Sequence, residues 1–277
     1  MIVFPNCKIN LGLHILQKRS DGYHDLETVF YPVPIADALE IIEYREPQRS
    51  SSLPFTLSGI AIEGDVATNL CMKAYRLLKR DYPELPHIQM HLHKVIPSGA
   101  GLGGGSADGS FTLTLLNRLF NLGISEELLI EYAAELGSDC PFFIINKPCL
   151  AQGKGEKLKR LNISLKDYKL AVINPGIYVN TGDAFRQLKP LSSRKPLEEI
   201  ISKPVERWKD ELINDFEKVI FPKHREIVDI KDNLYKQGAV YASMSGSGST
   251  VFGLFPKETN IDFSFPPYYF TRELILN

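Results

Sequence analysis

The stretch PSGAGLGGGSADGS, residues 97–110, holds six glycines in fourteen residues, five of them between Gly99 and Gly105. Glycine contributes nothing to a core and costs extra entropy to order, so such a run is bare backbone kept for close approach. An alternating segment precedes it and a helical pattern follows from near Ser106. Amides at a helix start lack partners and carry the positive end of the dipole, so a glycine turn at this position suits a phosphate. Gly99, Gly101 and Gly104 also satisfy G-x-G-x-x-G. A dinucleotide site would want an acidic strand end about 20 residues on, where this chain has the helix end NRLFNLG. No lysine follows as a Walker loop requires. A protein-kinase glycine loop would lie between two strands, not before a helix. Three more groupings carry chemistry. Lys8 and Asn10 share the polar face of a strand. Asp139 sits in the turn GSDCPFF, where it reads either as a turn residue or as a general base. Asp21-Gly22-Tyr23-His24 reads as a hairpin turn presenting two rings.

These residues need elements to hold them. KINLGLHIL (8–16) places Ile9, Leu11, Leu13 and Ile15 on one face and Lys8, Asn10, Gly12 and His14 on the other, the period of a half-buried strand. TVFYPVPI and ALEII read as further strands, REPQRSSSLP (45–54) as a surface loop, and Asn69–Leu78 as a helix. HIQMHLHKVI (87–96) is a strand with Ile88, Met90 and Leu92 inward and His87, His91 and His93 on a solvated face. Helical spacing of Phe111, Leu115, Leu119 and Leu122 follows the glycines. Ser125 to Leu136 is a second helix ended by Gly137. PFFII (141–145) reads as a short apolar strand and AVINPG (171–176) as a strand into a turn. Glu198–Ile220 reads as largely helical, as does Arg225–Gln237. VYASMSGSGSTVFGLF (240–255) has two strand ends around a small-residue loop, and PPYYFTREL reads as an edge strand. Strands do not alternate regularly with helices, which disfavours a doubly wound parallel sheet and points to an α+β fold.

Composition bounds the function. The chain has 277 residues, 44% hydrophobic and 23% charged, the balance of a globular protein of one or two domains. A net charge of −1 with no basic stripe disfavours nucleic acid as a partner. No apolar run reaches the roughly 18 residues of a membrane span. Cys7, Cys71, Cys140 and Cys149 form no C-x-x-C pair, and with no secretory leader they read as free thiols in the cytoplasm.

Pro97 through Ala107 resembles the phosphate loop of the galactokinase, homoserine kinase, mevalonate kinase and phosphomevalonate kinase (GHMP) superfamily. PNCKINLGLHILQKRSDGYHDLETVF (5–30), GSDCPFF (137–143), AQGKGE (151–156) and SMSGSGSTVFG (243–253) resemble, in order, segments of the branch whose acceptor is a cytidine diphosphate derivative. The resemblance implies a two-lobed α+β fold, with a ribosomal-protein-S5-like N-terminal lobe over 1–155 and a ferredoxin-like C-terminal lobe over 156–277. It implies ATP-dependent phosphoryl transfer to a hydroxyl, with ATP and Mg²⁺ as cofactors. Pro97, Gly99, Gly101, Leu102, Gly103, Gly104, Gly105 and Ser106 would hold ATP. Ser106 would contact Mg²⁺ or cap the helix. Asp139 would be the base and Lys8 its charge partner. Asn10, Tyr23, His24, Tyr178, Gly246, Ser247 and Gly248 would hold or brace the acceptor, with the rings on the cytosine. The partners expected are thus a small-molecule substrate, no nucleic acid and no membrane; a homodimer is compatible. Another superfamily kinase, acting on mevalonate, a sugar or homoserine, is the alternative, as is a non-catalytic ligand sensor on this fold.

Overall fold

A computed structural model of the chain describes residues 1–44, 55–62, 64–190 and 194–276, so the loop expected over 45–54 lies outside the described residues. In chain order the strands are β1 (Ile2–Val3), β2 (Asn6–Lys18), β3 (His24–Ala36), β4 (Ala38–Glu43), β5 (Phe55–Gly59), β6 (Ile88–Lys94), β7 (Cys149–Gly153), β8 (Lys157–Arg160), β9 (Tyr168–Asn174), β10 (Tyr241–Met244), β11 (Val251–Pro256) and β12 (Phe270–Ile275). The helices are α1 (Leu70–Asp81), α2 (Gly104–Leu119), α3 (Glu126–Leu136), α4 (Cys140–Ile145), α5 (Thr181–Gln187), α6 (Leu197–Ile201), α7 (Glu217–Ile220) and α8 (Arg225–Lys236). The chain forms two compact units. The first holds Met1–Cys7, Val33–Ser98 and Gly103–Asn146; the second holds Lys8–Pro32, Gly99–Leu102 and Lys147–Asn277.

In the first unit the sheet order is β1-β4-β6-β5, with β4 antiparallel and β5 parallel to β6. The period of two in β6 turns Ile88, Met90 and Leu92 onto the core, where they join Leu39 and Ile41 of β4, Cys71, Tyr75 and Leu78 of α1, and Leu113 and Leu116 of α2. Each fully buried aliphatic side chain of this kind contributes roughly 1.5–3 kcal/mol. On the other face, the hydroxyls of Thr56 and Ser58 bond the rings of His91 and His93 at 2.7–2.9 Å. Helix starts follow local chemistry. The Asn69 side chain accepts from the Cys71 amide (2.9 Å), and Ser125 accepts from Leu128 (3.3 Å) with Glu126 and Glu127 in the first turn.

Two segments differ from the sequence expectation. PFFII is helical (α4), not a strand. An apolar run of this length fits either state, and Pro141 decides it by pre-setting φ for a first helical turn. Glu198–Ile220 is not one long helix but α6, a 3-10 turn (Val205–Arg207) and α7. Pro204 lacks the amide a continuous helix would need. In the gap, residues 213–215 run beside β2 instead: Leu13 N–H donates to Ile213 O (3.0 Å) and Asp215 N–H to Leu13 O (2.8 Å).

The second unit has two sheets, of order β2-β3-β7-β8 and β10-β11-β9-β12. The expected edge strand is β12, antiparallel to β9. The core joins Leu13, Ile15 and Leu26 to Ala171 and Ile173 of β9, Val251 of β11 and the apolar stripe Ile227, Ile230 and Leu234 of α8.

Candidate active site

In the second unit, Gly99–Leu102 is clasped by the small-residue loop between β10 and β11. The Lys8 amide donates to Leu102 O (2.9 Å) and the Thr250 amide to Ala100 O (3.2 Å). The Gly101 carbonyl accepts from Ser245 Oγ (2.8 Å) and from Lys8 Nζ (3.1 Å). Gly101 has φ +78°, and a Cβ there would stand 2.0 Å from the Ser245 carbonyl oxygen. The glycine is thus required twice, by its backbone angle and by its neighbour. Gly246 packs back, a Cβ there falling 3.3 Å from Gly101 Cα. Ser247 Oγ lies 2.7 Å from Thr181 Oγ1, and Gly248 closes the loop with its amide on Ser245 O (3.0 Å).

Lys8 is buried, and its ammonium donates to Asn10 Oδ1 (2.6 Å) and lies 5.0 Å from the Phe30 ring centroid. Asn10 in turn donates from Nδ2 to Thr28 Oγ1 (2.9 Å), and its amide to Ser245 Oγ (3.2 Å). Asn10 therefore fixes where the Lys8 ammonium points. A lysine on a strand's polar face is ordinarily solvated; this one is buried and held.

In the first unit, the loop continues through Gly103 (φ +70°) into α2. Gly103, not Ser106, is the N-cap, and it has no side chain to satisfy the opening amides. Ala107 N–H is the first to bond within the helix, to Gly103 O at 2.9 Å. The amides of Gly104, Gly105 and Ser106 precede that bond and have no partner one turn back within the helix. Pro97 lies on the approach to this loop. Beneath the loop lies a group that the sequence reading missed. Lys94 continues the inward alternation of β6, and its ammonium bonds Asp37 and, at 2.7 Å, Asp108 of α2. Asp37 also accepts from the amides of Val95 (2.5 Å) and Ile96 (2.9 Å). These three charged side chains are all buried. They tie the strand entering the loop to the helix leaving it. Asp108 Oδ1 has no hydrogen-bond partner. Burial, with Asp37 adding and Lys94 opposing, pushes the Asp108 carboxyl up to about 8.

Asp139 precedes α4 in the αR region and makes no capping hydrogen bond to it. The turn is pinned to α2, because Ser110 Oγ donates to Cys140 O (2.8 Å) and to Ser106 O (2.9 Å). Among the described residues no cluster of three His, Cys, Asp or Glu could hold a metal ion.

Back in the second unit, Tyr23 is 58% exposed and its amide donates to Asp21 Oδ1 (3.1 Å). His24 is stacked on Phe185 of α5, centroids 5.2 Å apart and planes 18° off parallel. Burial and the Lys18 charge lower the His24 pKa, so the ring favours its neutral form. Tyr178 stands 78% exposed. Phe185 was not singled out from the sequence: it reads there as one apolar residue of a helical turn, and only the fold sets it against His24.

Family comparison gives the class. The model of the GHMP kinases N terminal domain matches residues 69–147 and that of the GHMP kinases C terminal matches residues 193–263. The chain belongs to the GHMP kinase family. Within it, the chain is 53% identical over 261 residues, 94% of each chain, to the 4-diphosphocytidyl-2-C-methyl-D-erythritol kinase of Bacteroides fragilis. It is 36% identical to that of Bacillus subtilis, over 92% of this chain and 88% of the other. A crystal structure of 4-(cytidine 5'-diphospho)-2C-methyl-D-erythritol kinase superposes with a TM-score of 0.78 at 32% identity, covering 92% of this chain and 90% of that one. The Methanococcus jannaschii mevalonate kinase shares the fold, with a TM-score of 0.64 at 13% identity, covering 94% and 92% of the two chains. Among the described residues no helix is long and apolar enough to cross a membrane.

Proposed function

We propose that this chain transfers the γ-phosphoryl group of ATP to the 2-hydroxyl of 4-diphosphocytidyl-2-C-methyl-D-erythritol, an isoprenoid precursor step carried out in the cytoplasm. The observation that carries this is the 53% identity over 94% of both chains to an enzyme of that name. The exposed Tyr23 and the His24–Phe185 stack support it, since they offer planar surfaces for a base. Mevalonate, sugars and homoserine present no planar base to stack.

Phosphoryl transfer asks the protein mainly for positioning and charge stabilisation. The amides of Gly104, Gly105 and Ser106 receive phosphate oxygens at the positive end of α2. Gly99, Gly101, Leu102 and Gly103 shape the approach, and Gly246, Ser247 and Gly248 brace it. Asp139 accepts the hydroxyl proton as the acceptor oxygen attacks the γ-phosphorus. Lys8, aimed by Asn10, supplies positive charge that steadies the attacking oxygen. A Mg²⁺ ion would arrive bound to the triphosphate, as this ion commonly does; the Ser106 hydroxyl at the start of α2 would hold it, and it would offset phosphate charge. The test is ADP release with ATP and Mg²⁺, comparing the diphosphocytidyl acceptor with mevalonate, galactose and homoserine. Release with the cytidine compound alone is expected. Release with another acceptor overturns the substrate, and tight ATP binding without release to any acceptor favours the sensor.

A further inference from the structure

We propose that Lys154 recognises the diphosphate of the acceptor and is a specificity-determining residue of this enzyme, an inference that rests on the cytidine reading above. Lys154 is in the turn between β7 and β8, and its ammonium lies 4.8 Å from the centroid of the exposed Tyr23 ring. The turn is held from within. The Lys154 amide donates to Glu156 Oε2 (2.6 Å), and the Gly155 amide to Gln152 O (3.1 Å). The Glu156 carboxylate lies so close over Gly153 that a Cβ there would be 2.9 Å from its Oε1. The root of the lysine is therefore fixed beside Tyr23.

Arg19 and Lys154 both act on the Asp21 carboxylate, but they are held differently. Arg19 also lies at this hairpin, but its guanidinium is spent on Asp21 and Asp25, both at 2.9 Å. Lys154 has no carboxylate within salt-bridge distance among the described residues. Its perch is an aromatic face, a weak hold for an exposed ammonium. A base stacked at Tyr23 and His24 carries its two phosphates one sugar away, within reach of a four-carbon stem rooted beside the ring. Charge-assisted hydrogen bonds to phosphate are stronger than the cation–π contact, so the ammonium exchanges ring for phosphate when the acceptor binds. The charge then distinguishes a cytidine diphosphate ester from a bare nucleoside or an uncharged alcohol.

The test measures inhibition constants of cytidine and CDP against acceptor turnover for the wild type, Lys154→Met, Lys154→Arg and Lys18→Met. Lys18 is an exposed cation of the same hairpin and controls for general surface charge. The wild type and Lys18→Met are expected to prefer CDP over cytidine about tenfold, the effect of one charge-assisted contact. Lys154→Met is expected to lose that preference with its cytidine constant unchanged, and to raise KM for the acceptor about tenfold while kcat stays within twofold. Lys154→Arg is expected to retain most of the preference. If Lys154→Met keeps the preference for CDP, or Lys18→Met loses it equally, the proposal is overturned and the cytidine reading stands. If the wild type is inhibited by neither compound, the cytidine reading itself fails and the proposal with it.

Discussion

Replacing Gly101 with alanine isolates what the glycine run is for. The new Cβ would stand 2.0 Å from the Ser245 carbonyl oxygen, where ordinary contact begins at 3.4 Å, so something must move by about 1.4 Å. The obstacle is backbone, not the tip of a flexible side chain, so the loop itself must shift. At φ +78° an L side chain also carries roughly 1–2 kcal/mol of strain. The shift further stretches the two bonds that the Gly101 carbonyl accepts from Ser245 and Lys8, each worth about 1 kcal/mol net. Together these put the expected destabilisation at about 3 kcal/mol. The catalytic effect is expected to be larger in proportion, because a misplacement of about 1 Å in a positioned reactant costs on the order of 10²-fold in rate. The comparison variant is Gly123→Ala, in the α2–α3 connection. It has φ +69° but open space where the Cβ would go, so it carries the strain without the clash. Urea denaturation and kcat/KM for ATP are measured on both. Gly123→Ala should lose about 1 kcal/mol and keep its kinetics, while Gly101→Ala should lose more stability and about a hundredfold in kcat/KM. Kinetics for Gly101→Ala within threefold of those for Gly123→Ala would show that the loop does not position the phosphates.

Asp139→Asn and Lys8→Met are each expected to reduce single-turnover phosphoryl transfer by 10² to 10⁴-fold, the range for general acid–base groups, with the far-ultraviolet circular dichroism unchanged; near-normal transfer by either variant removes that residue from the mechanism. Asp37→Ala strands the Val95 and Ile96 amides and leaves the buried Lys94 ammonium with Asp108 as its one carboxylate partner, so a loss of about 3–5 kcal/mol is expected; a urea midpoint near that of the wild type would mean that Asp37 does not hold this cluster together. His14 is buried on β2, and burial followed by the Arg194 charge lowers its pKa to about 4. The unfolded chain binds a proton near pH 6.5 that the folded chain refuses until about pH 4, so the stability it confers is complete above 6.5 and declines as pH falls towards 4. The difference, 2.5 pH units, corresponds to at most about 3 kcal/mol. Urea midpoints at pH 7 and pH 5 should converge more for His14→Gln than for the wild type, and parallel slopes would refute the assignment.

What could be read from the sequence was local. Asn69, Ser125 and Gly137 bound their helices as capping chemistry requires, and the alternation of Ile88, Met90 and Leu92 located β6 and its inner face. The phosphate-loop motif likewise carried the family, because its signal lies in consecutive residues. Failures came where two local readings were equally good. PFFII has no period to separate helix from strand, and Glu198–Ile220 has helical composition but is cut at Pro204 and drawn onto β2 by Asn214 and Asp215. Ser106 has the chemistry of a cap, yet Gly103 takes that position because only the loop's αL turn brings the chain into α2.

The buried charges under the loop are the more instructive omission. Lys94 falls on the same alternation as Ile88, Met90 and Leu92, so the period alone placed it inward; its charge argued the opposite, and charge is ordinarily the better guide. The conflict resolves only when partners are found, and these lie 57 residues before it and 14 after it, at Asp37 and Asp108. Breaking a pattern in favour of a buried cation is costly unless the cation is paired, so a lysine in phase with a core face is itself a reason to search for distant carboxylates. Lys8 obeys the same logic from the other side. It lies out of phase with its apolar neighbours, yet it is as buried as they are, because Asn10, Gly101 and Phe30 replace water around it. In both places burial of a lysine follows from what the fold brings to it: two carboxylates at Lys94, and a side-chain amide, a backbone carbonyl and a ring at Lys8.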